Sequence, residues 1–474
     1  MILLLACALS GVSSQPVEPP ARELAQEAAV TGAPEARPNV IIVLVDDLGW
    51  ADLGVGLPGI PGVQEHRTPH VASFARESLS CIRAYSSAPN CAPSRATLQT
   101  GRATPRHGVL TVGSPKRGKA KDRALEPPES RVELLPEEVT LAELVKTAGY
   151  ASAHVGKWHL GDDPQSQGYD VNVGGNLSGH PKSYFAPYKN ASLEDGPDGE
   201  LLTTRLTDET IDLLDELEAP FLINLCYYAV HTPLQATEER VADRRAAGAQ
   251  HPRYAAMIEA LDEEFGRLLK ALEERELAEN TVVIFTSDNG GYGPATNKRH
   301  TRGYKGTLDE GGVRVPFFIR WPSRIRPTVS PYPVHHQDVF PTVAAISGAS
   351  LPAAPIDGIN LLPHFRERAP LEDRTLYWHF PCYLQGSSDR FEKWRTTPGT
   401  ALTESGRWKL IHFYESRSDG TAHTELYDIA NDPREEFDLA AKYPEKVKAL
   451  MREMVTWRKE TSATVPSRKK PSVD

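Results

Sequence analysis

Four apolar runs limit what this chain can fold into more than anything else in it. "PNVIIVLVDDLGW" carries a run over 40–45 and ends in Asp46-Asp47. "APFLINLCYYAVHTP" runs over 221–228 and ends near His231, and "NTVVIFTSDNGG" runs over 282–286 and ends in Asp288-Asn289. A shorter run, 150–155 in "GYASAHVGKWHLG", leads into Lys157 and His159. Branched apolar runs without alternation read as strands buried on both faces, which means a parallel sheet covered by helices. The helices are legible between them. "LPEEVTLAELVKTAGY" has helical spacing with Gly149 as its cap, and "RYAAMIEALDEEFGRLLKALEERELAEN" is a long amphipathic helix. Strand–helix alternation predicts an α/β fold: a doubly wound, mostly parallel sheet flanked by helices.

The 474 residues exceed one ordinary core. From about 372 the pattern changes: "RTLYWHF", "TALTESGRWKLIHFYE" and "TELYDIA" alternate or carry aromatics as antiparallel strands do, and a helix, "YPEKVKALMREMVTWRKE", closes the segment. We therefore expect a catalytic part over 38–370, a smaller α+β part on an antiparallel sheet over 371–461, and a disordered basic tail over 462–474. Residues 1–37 read as an export signal and linker: a short apolar run too brief to span a bilayer, then a Pro/Ala/Glu-rich stretch. "LLAC" is similar to a lipoprotein cleavage box, which would make Cys7 a lipid anchor, and either route leads to the periplasm or the exterior. No later segment is apolar enough to cross a membrane. Cys7, Cys81, Cys91, Cys226 and Cys382 are too few and scattered for a disulfide scaffold, although a single bridge stays open. A net charge of −10 and the lack of a basic stripe exclude general nucleic-acid binding.

In folds of this class ligands bind beyond the carboxyl ends of the strands. Asp46-Asp47 or Asp288-Asn289 alone would read as a turn. Four strand ends carrying such groups together predict one converging site. Three carboxylates and an amide oxygen suit a hard cation, Ca²⁺ or Mg²⁺. Arg95, Lys157 and Lys305 add fixed positive charge for an anionic oxyacid group, and His159 and His231 exchange protons near neutral pH. The set describes hydrolysis of a phosphate or sulfate ester. Cys91 stands just before Pro93-Ser94-Arg95, at a predicted helix start with Gly101 as the stop. An isolated cysteine more often packs as a small hydrophobe. A thiolate beside a hard cation is a poor match, so Cys91 is not expected to act as a simple thiol.

Cys91-Ala92-Pro93-Ser94-Arg95, extended by "ATLQTGR", resembles the type I sulfatase signature C-x-P-S-R…T-G-R. "GYASAHVGKWHLG" is similar to the same family's second signature, and "DDLGW", "HTP", "TSDNGG" and "GYKGTLDEGGVRVPFFIRWP" follow its blocks in order, as far as "ELYDIANDPREEFDLA". The resemblance implies the alkaline-phosphatase-like fold. It also implies that a maturing enzyme oxidises Cys91 to formylglycine, whose hydrate attacks sulfur and then expels sulfate as the aldehyde reforms. Asp46, Asp47, Asp288 and Asn289, joined by the modified Cys91, would bind Ca²⁺. Arg95 would hold the diol, Lys157 and Lys305 would clamp the sulfate, His231 would protonate the leaving alcohol, and His159 would assist elimination. Lys305 is chosen over Lys298, Arg299 and Arg302 because the following "GTLDEGG" fixes the register. Thr68-Pro69-His70, where the family often has Thr-Pro-Asn, is read as a helix entry.

The resemblance implies a sulfatase acting on sulfated polysaccharides, glycosaminoglycan fragments or aryl sulfates. The alternatives are a phosphodiesterase or phosphonate monoester hydrolase of the same superfamily, or a non-catalytic binder of sulfated glycans if Cys91 stays unmodified. The long loops over 175–200 and 382–400 are candidates for substrate contact.

Overall fold

All four runs are strands of one sheet in the computed structural model, which describes residues 37–385, 394–414 and 422–469. Asn39–Val45 is the central strand, and its seven residues are buried on both faces. It pairs in parallel with Phe221–Cys226 on one side and Thr281–Ser287 on the other. Ala151–Gly156 and Val171–Val173 extend the first side; Phe317–Arg320, Leu79–Tyr85 and Thr328–His335 extend the second. Seven of these eight strands run parallel to a neighbour. Phe317–Arg320 is antiparallel to both of its neighbours.

Alternation along the central strand divides the core into two layers. Ile41, Val43 and Val45 pack with Phe265 and Leu268 of the long helix Pro252–Glu274, whereas Val40, Ile42 and Leu44 pack with Leu141 and Leu144 of Leu141–Lys146 and Phe340 of Val339–Ser347. Covered faces on both sides are what the unalternated runs required. Leu141–Lys146 starts with a capping box, the Thr140 hydroxyl accepting from Glu143 N–H and the Glu143 carboxylate accepting from Thr140 N–H.

The antiparallel sheet has the order Thr375–Phe380, Gly399–Glu404, Trp408–Phe413, His423–Asp428. One face, with Trp378, Phe380 and Ile411, packs on Tyr85, Leu308 and Val313 of the main body. The other, with Leu402, Leu410 and Leu426, takes Leu450 and Met454 of the closing helix Pro444–Glu460. From Arg37 on, the chain forms one compact unit. The tail departs from expectation: Ser467–Arg468 pair antiparallel with Leu125–Glu126, so backbone hydrogen bonds hold a stretch expected to be disordered. Cys81, Cys91, Cys226 and Cys382 are all free thiols, and no bridge forms among them. Cys7 and the export segment lie outside the described residues. No helix among the described residues is long and apolar enough to cross a membrane.

Thr68-Pro69-His70 is a helix entry, with Pro69 opening Pro69–Arg76. Thr68 does not cap this helix, because its hydroxyl accepts from Gly54 N–H. Asp262 of the long helix does so instead: its carboxylate accepts from His70 N–H at 3.1 Å and Val71 N–H at 2.7 Å. A side chain 191 residues away thus fills the N-cap role. We expect Asp262→Ala to cost about 1–3 kcal/mol, through the lost cap and the buried N–H groups left behind. A urea melt should show a lower midpoint at unchanged slope. An unchanged midpoint would mean that these two bonds contribute nothing net.

Candidate active site

Cys91 is the first residue of the helix Cys91–Thr100, and all ten of its residues are buried. Asn90 sets the start: its backbone is extended and its Oδ1 accepts from Cys91 N–H at 2.9 Å. Gly101 ends the helix in the left-handed region at φ 68°, where a Cβ would come within 2.8 Å of Phe340. The positive end of the helix dipole thereby sits at the carboxyl edge of the sheet, with Cys91 Sγ 3.7 Å from Asp46 Oδ1.

The strand ends are laced to one another. Asp46 N–H donates to the Ala229 carbonyl, Asp288 N–H to Val45, and Lys157 N–H to Cys226. Asp47 adopts φ 61°, a left-handed conformation uncommon outside glycine, and its N–H donates to Asp288 Oδ1 at 3.2 Å. These bonds set the strand ends carrying Asp46, Asp47, Lys157 and Asp288 side by side, and Cys91, His159, His231 and Lys305 line one cavity with Asp47. Asp46, Asp47, Asp288 and Asn289 are all essentially inaccessible to solvent.

Each buried carboxylate has a cation. Lys157 Nζ lies 2.6 Å from Asp46, Lys305 Nζ 2.8 Å from Asp47, and Arg95 Nη2 2.7 Å from Asp288. Arg95 also donates Nε to Asp288 at 2.9 Å and Nη1 to the Lys157 carbonyl at 2.9 Å. Lys305 is the cation of its loop that lies against Asp47. Lys298 stacks over the Tyr304 ring and Arg302 pairs with Asp309, both away from the cluster.

These charges move the protonation equilibria. Burial pushes the Asp46 carboxyl up against the opposing pull of Lys157. Burial acts the same way on Asp47 and Asp288, but Lys305 beside the first and Arg95 beside the second hold both below the usual carboxylate range. Burial would raise the Cys91 thiol, yet Lys157 and Lys305 bring it down to about 6, so position 91 favours an anion. The two histidines diverge. Burial and Lys157 hold His159 well below its ordinary value, whereas the Asp46 and Asp47 carboxylates outweigh burial and Lys305 to raise His231.

The donor set suits a hard cation. Asn289 gives Nδ2 to Asp47 Oδ1 at 2.8 Å and to the Gly290 carbonyl at 2.9 Å, leaving its buried Oδ1 without a hydrogen-bond partner among the described residues. An orphaned acceptor of this kind costs about 1–3 kcal/mol unless something positive meets it. Ligand atoms of Asp46, Asp47, Cys91 and His231 also lie within 4.8 Å of one another. The all-oxygen set with Asp288 and Asn289 fits Ca²⁺ or Mg²⁺ better than one with an imidazole, since these ions prefer oxygen.

The cluster floors a cavity of about 500 Å³. Three parts of its wall were not foreseen. His180 stacks on His231 with ring centroids 6.2 Å apart, Arg117 enters from a basic segment, and Asn90 holds Cys91. His180 lies in the loop over 175–200 and Leu384 in that over 382–400, so both loops expected near substrate reach the cavity; residues 386–393 of the second lie outside the described residues. Gly179 lets its loop lie on the His159 ring, which a Cβ would approach to 2.3 Å. Nothing local marks His180 or Arg117 in sequence.

A family model described as sulfatase matches residues 38–349, and one described as N-sulphoglucosamine sulphohydrolase, C-terminal, matches 303–460. The chain is 31% identical to a sulfatase of Formosa agariphila, over 86% of this chain and 85% of that one. It is 30% identical to N-acetylgalactosamine-6-sulfatase of Homo sapiens, over 92% and 88% respectively. Among solved structures, Ps i-CgsB superposes with a TM-score of 0.72 at 28% identity, covering 89% of this chain and 92% of that one; a second structure of it holds k-i-k-neocarrahexaose. With a family model over well over half the chain and relatives alike over nearly all of it, this chain belongs to the sulfatase family and is a hydrolase of sulfate esters.

Proposed function

We propose that this sulfatase removes sulfate from sulfated carbohydrates at residue 91, after a sulfatase-maturing enzyme has converted Cys91 to formylglycine, with Ca²⁺ (Mg²⁺ as the alternative) held by Asp46, Asp47, Asp288 and Asn289. One observation carries the reading: a cysteine at a buried helix N-terminus stands among three paired cations and four buried oxygen-bearing side chains. Formylglycine hydrate would supply a diol oxygen to attack sulfur and a second hydroxyl to release sulfate. The cation, when bound, would supply positive charge beside the reacting oxygens.

The chain's own residues do the rest. Arg95, fixed by its two contacts to Asp288, holds a guanidinium one helical turn from residue 91. Lys157 and Lys305 bring Nζ donors against Asp46 and Asp47, where sulfate oxygens would meet them. His231 Nδ1 lies 2.7 Å from the Thr232 carbonyl, so Nδ1–H donates there and Nε2, 3.6 Å from Asp47, faces the cavity. A proton on Nε2 is placed for the departing alcohol. His159 is half-buried, with its enclosed Nδ1 unpartnered among the described residues, and suits accepting a proton from the diol. On this reading 38–370 carries the chemistry, 371–461 is a supporting subdomain, and 1–37 directs export, with Cys7 as the lipidation point if the chain is anchored. The saccharide complex of Ps i-CgsB supports a carbohydrate substrate.

Turnover of a sulfate ester set against a phosphate diester separates this reading from a phosphodiesterase, which would prefer the diester. In a host whose maturing system acts only on cysteine, Cys91→Ser should stay folded and lose nearly all sulfate-ester turnover. A serine hydroxyl can attack, but its sulfate ester cannot collapse by elimination. Sustained multiple turnover at the wild-type rate would refute the role of residue 91.

Cation binding should be visible without any assay of activity. Returning Ca²⁺ to chelated protein at about a hundred times its Kd adds roughly 2.7 kcal/mol of stability, read as a higher Tm. Asp288→Asn should shrink that rise, and an equal rise in the variant would remove Asp288 from the ligand set. His231→Ala should lower kcat/KM for a sulfated sugar by ~10²–10⁴-fold and much less for a nitrophenyl sulfate, whose leaving group departs unaided. Equal losses on both substrates would mean that His231 positions sulfate instead of donating the proton.

A further inference from the structure

A second cavity has a volume of about 670 Å³. Consecutive residues line the two, Tyr292 the catalytic one and Gly293 the second. Lys298 and Arg299, set aside as sulfate clamps, line this second cavity together with Arg434, His66 and His251. The single carboxylate in its lining is Glu65. On a chain with a net charge of −10, three side-chain cations and two histidines around one open space are a local reversal of sign.

The wall is built and held. Thr296 Oγ1 and Asn297 N–H each donate to Asp52 at 2.7 Å, and Asn297 Oδ1 accepts from Arg299 N–H at 3.0 Å. Gly293 packs against Tyr304, whose ring a Cβ would approach to 2.4 Å, and Lys298 Nζ sits 4.6 Å above that same ring. Tyr304 directly precedes Lys305, so two of the second cavity's cations, Lys298 and Arg299, are mounted on the loop that places a cation in the first. Arg434 reaches across to donate Nη1 to the Arg299 carbonyl at 3.3 Å and pairs with Glu436 at 2.9 Å. The Arg299 guanidinium makes no hydrogen bond or ion pair among the described residues. A fork of donors on a pinned loop, with no internal acceptor, suits an external oxyanion.

We propose that this cavity is a second anion subsite, holding a sulfate or carboxylate on the sugar unit next to the one being desulfated. The inference rests on the reading of the catalytic cavity given above and narrows its substrate class: the preferred saccharide carries negative charge on at least two neighbouring units. Inorganic sulfate cannot span both cavities, so its competition with nitrophenyl sulfate reads the catalytic cavity alone.

Inhibition of nitrophenyl sulfate turnover tests this with four probes: inorganic sulfate, a monosulfated neutral oligosaccharide, one with a second sulfate on the adjoining unit, and one with an adjoining uronate. Arg299→Ala and Lys298→Ala should raise the Ki of a doubly anionic probe by about tenfold or more. They should leave kcat/KM for nitrophenyl sulfate and the Ki of inorganic sulfate unchanged, and Arg299→Gln should behave like Arg299→Ala. Whichever doubly anionic probe loses affinity identifies the group as sulfate or carboxylate. Unchanged Ki values for both, or an equal loss for the neutral monosulfated probe, would overturn the subsite. Wild-type protein that hydrolyses no sulfate ester would overturn the reading of the catalytic cavity itself, a separate result.

Discussion

Three carboxylates, Asp46, Asp47 and Asp288, are buried at the edge of one sheet, and the rest of the site is arranged around that fact. An ionised carboxylate taken out of water costs several kcal/mol unless it is paired and hydrogen-bonded. Here Lys157, Lys305 and Arg95 each supply a partner within 3 Å. The requirement explains why cations arrive from three separate elements: the end of a strand, a loop, and the helix begun by Cys91. It also sets the character of the cavity. Carboxylates and cations balance one another, so a divalent ion added to the oxygen-bearing side chains would leave the floor positive, as an anionic ester requires.

A second buried charge cluster braces the first from behind. Lys409, on the antiparallel sheet, lies 2.9 Å from Glu310 and 3.0 Å from Glu435, and all three side chains are fully enclosed. Glu310 follows Lys305 by five residues, its N–H donates to Glu435 at 2.9 Å, and its carboxylate accepts from the Tyr85 hydroxyl at 3.0 Å. The small sheet therefore does more than cover an apolar face. It fixes the far end of the loop that carries Lys305, and Arg302, donating to the Tyr427 hydroxyl, ties the same loop to it again.

How much of this was legible follows from what periodicity encodes. Burial on both faces is written in the uninterrupted runs, and the helix start at Cys91 in Pro93 and Gly101, so the sheet, its flanking helices and the converging strand ends could be read before any coordinates. Strand direction is not written there. The residues of Phe317–Arg320 look like those of any buried strand, and nothing in them marks the antiparallel pairing with both neighbours. The Asp262 cap and the pairing of Ser467–Arg468 with Leu125–Glu126 were hidden because each joins residues far apart in sequence. His180 and Arg117 belong to loops, where no repeating burial pattern marks a position, and only the folded backbone shows that they face His231 and Cys91 across one cavity.

That contrast separates the two tasks of the site. The groups proposed to handle the sulfate come from strand ends, from the Cys91 helix and from the loop of Lys305, and backbone bonds tie the strand ends to one another. The rim comes from four unrelated segments, contributing Arg117, His180, Leu384 and Tyr292, which share only their place around the opening. The loop 293–299 belongs to both tasks. One end adjoins the catalytic cavity at Tyr292, the middle is pinned to Asp52, and Lys298 rests on the tyrosine that precedes Lys305. Lys298 and the Tyr304-Lys305 pair therefore share one packed stretch of backbone, so the proposed second subsite and the cation opposite Asp47 rest on the same loop.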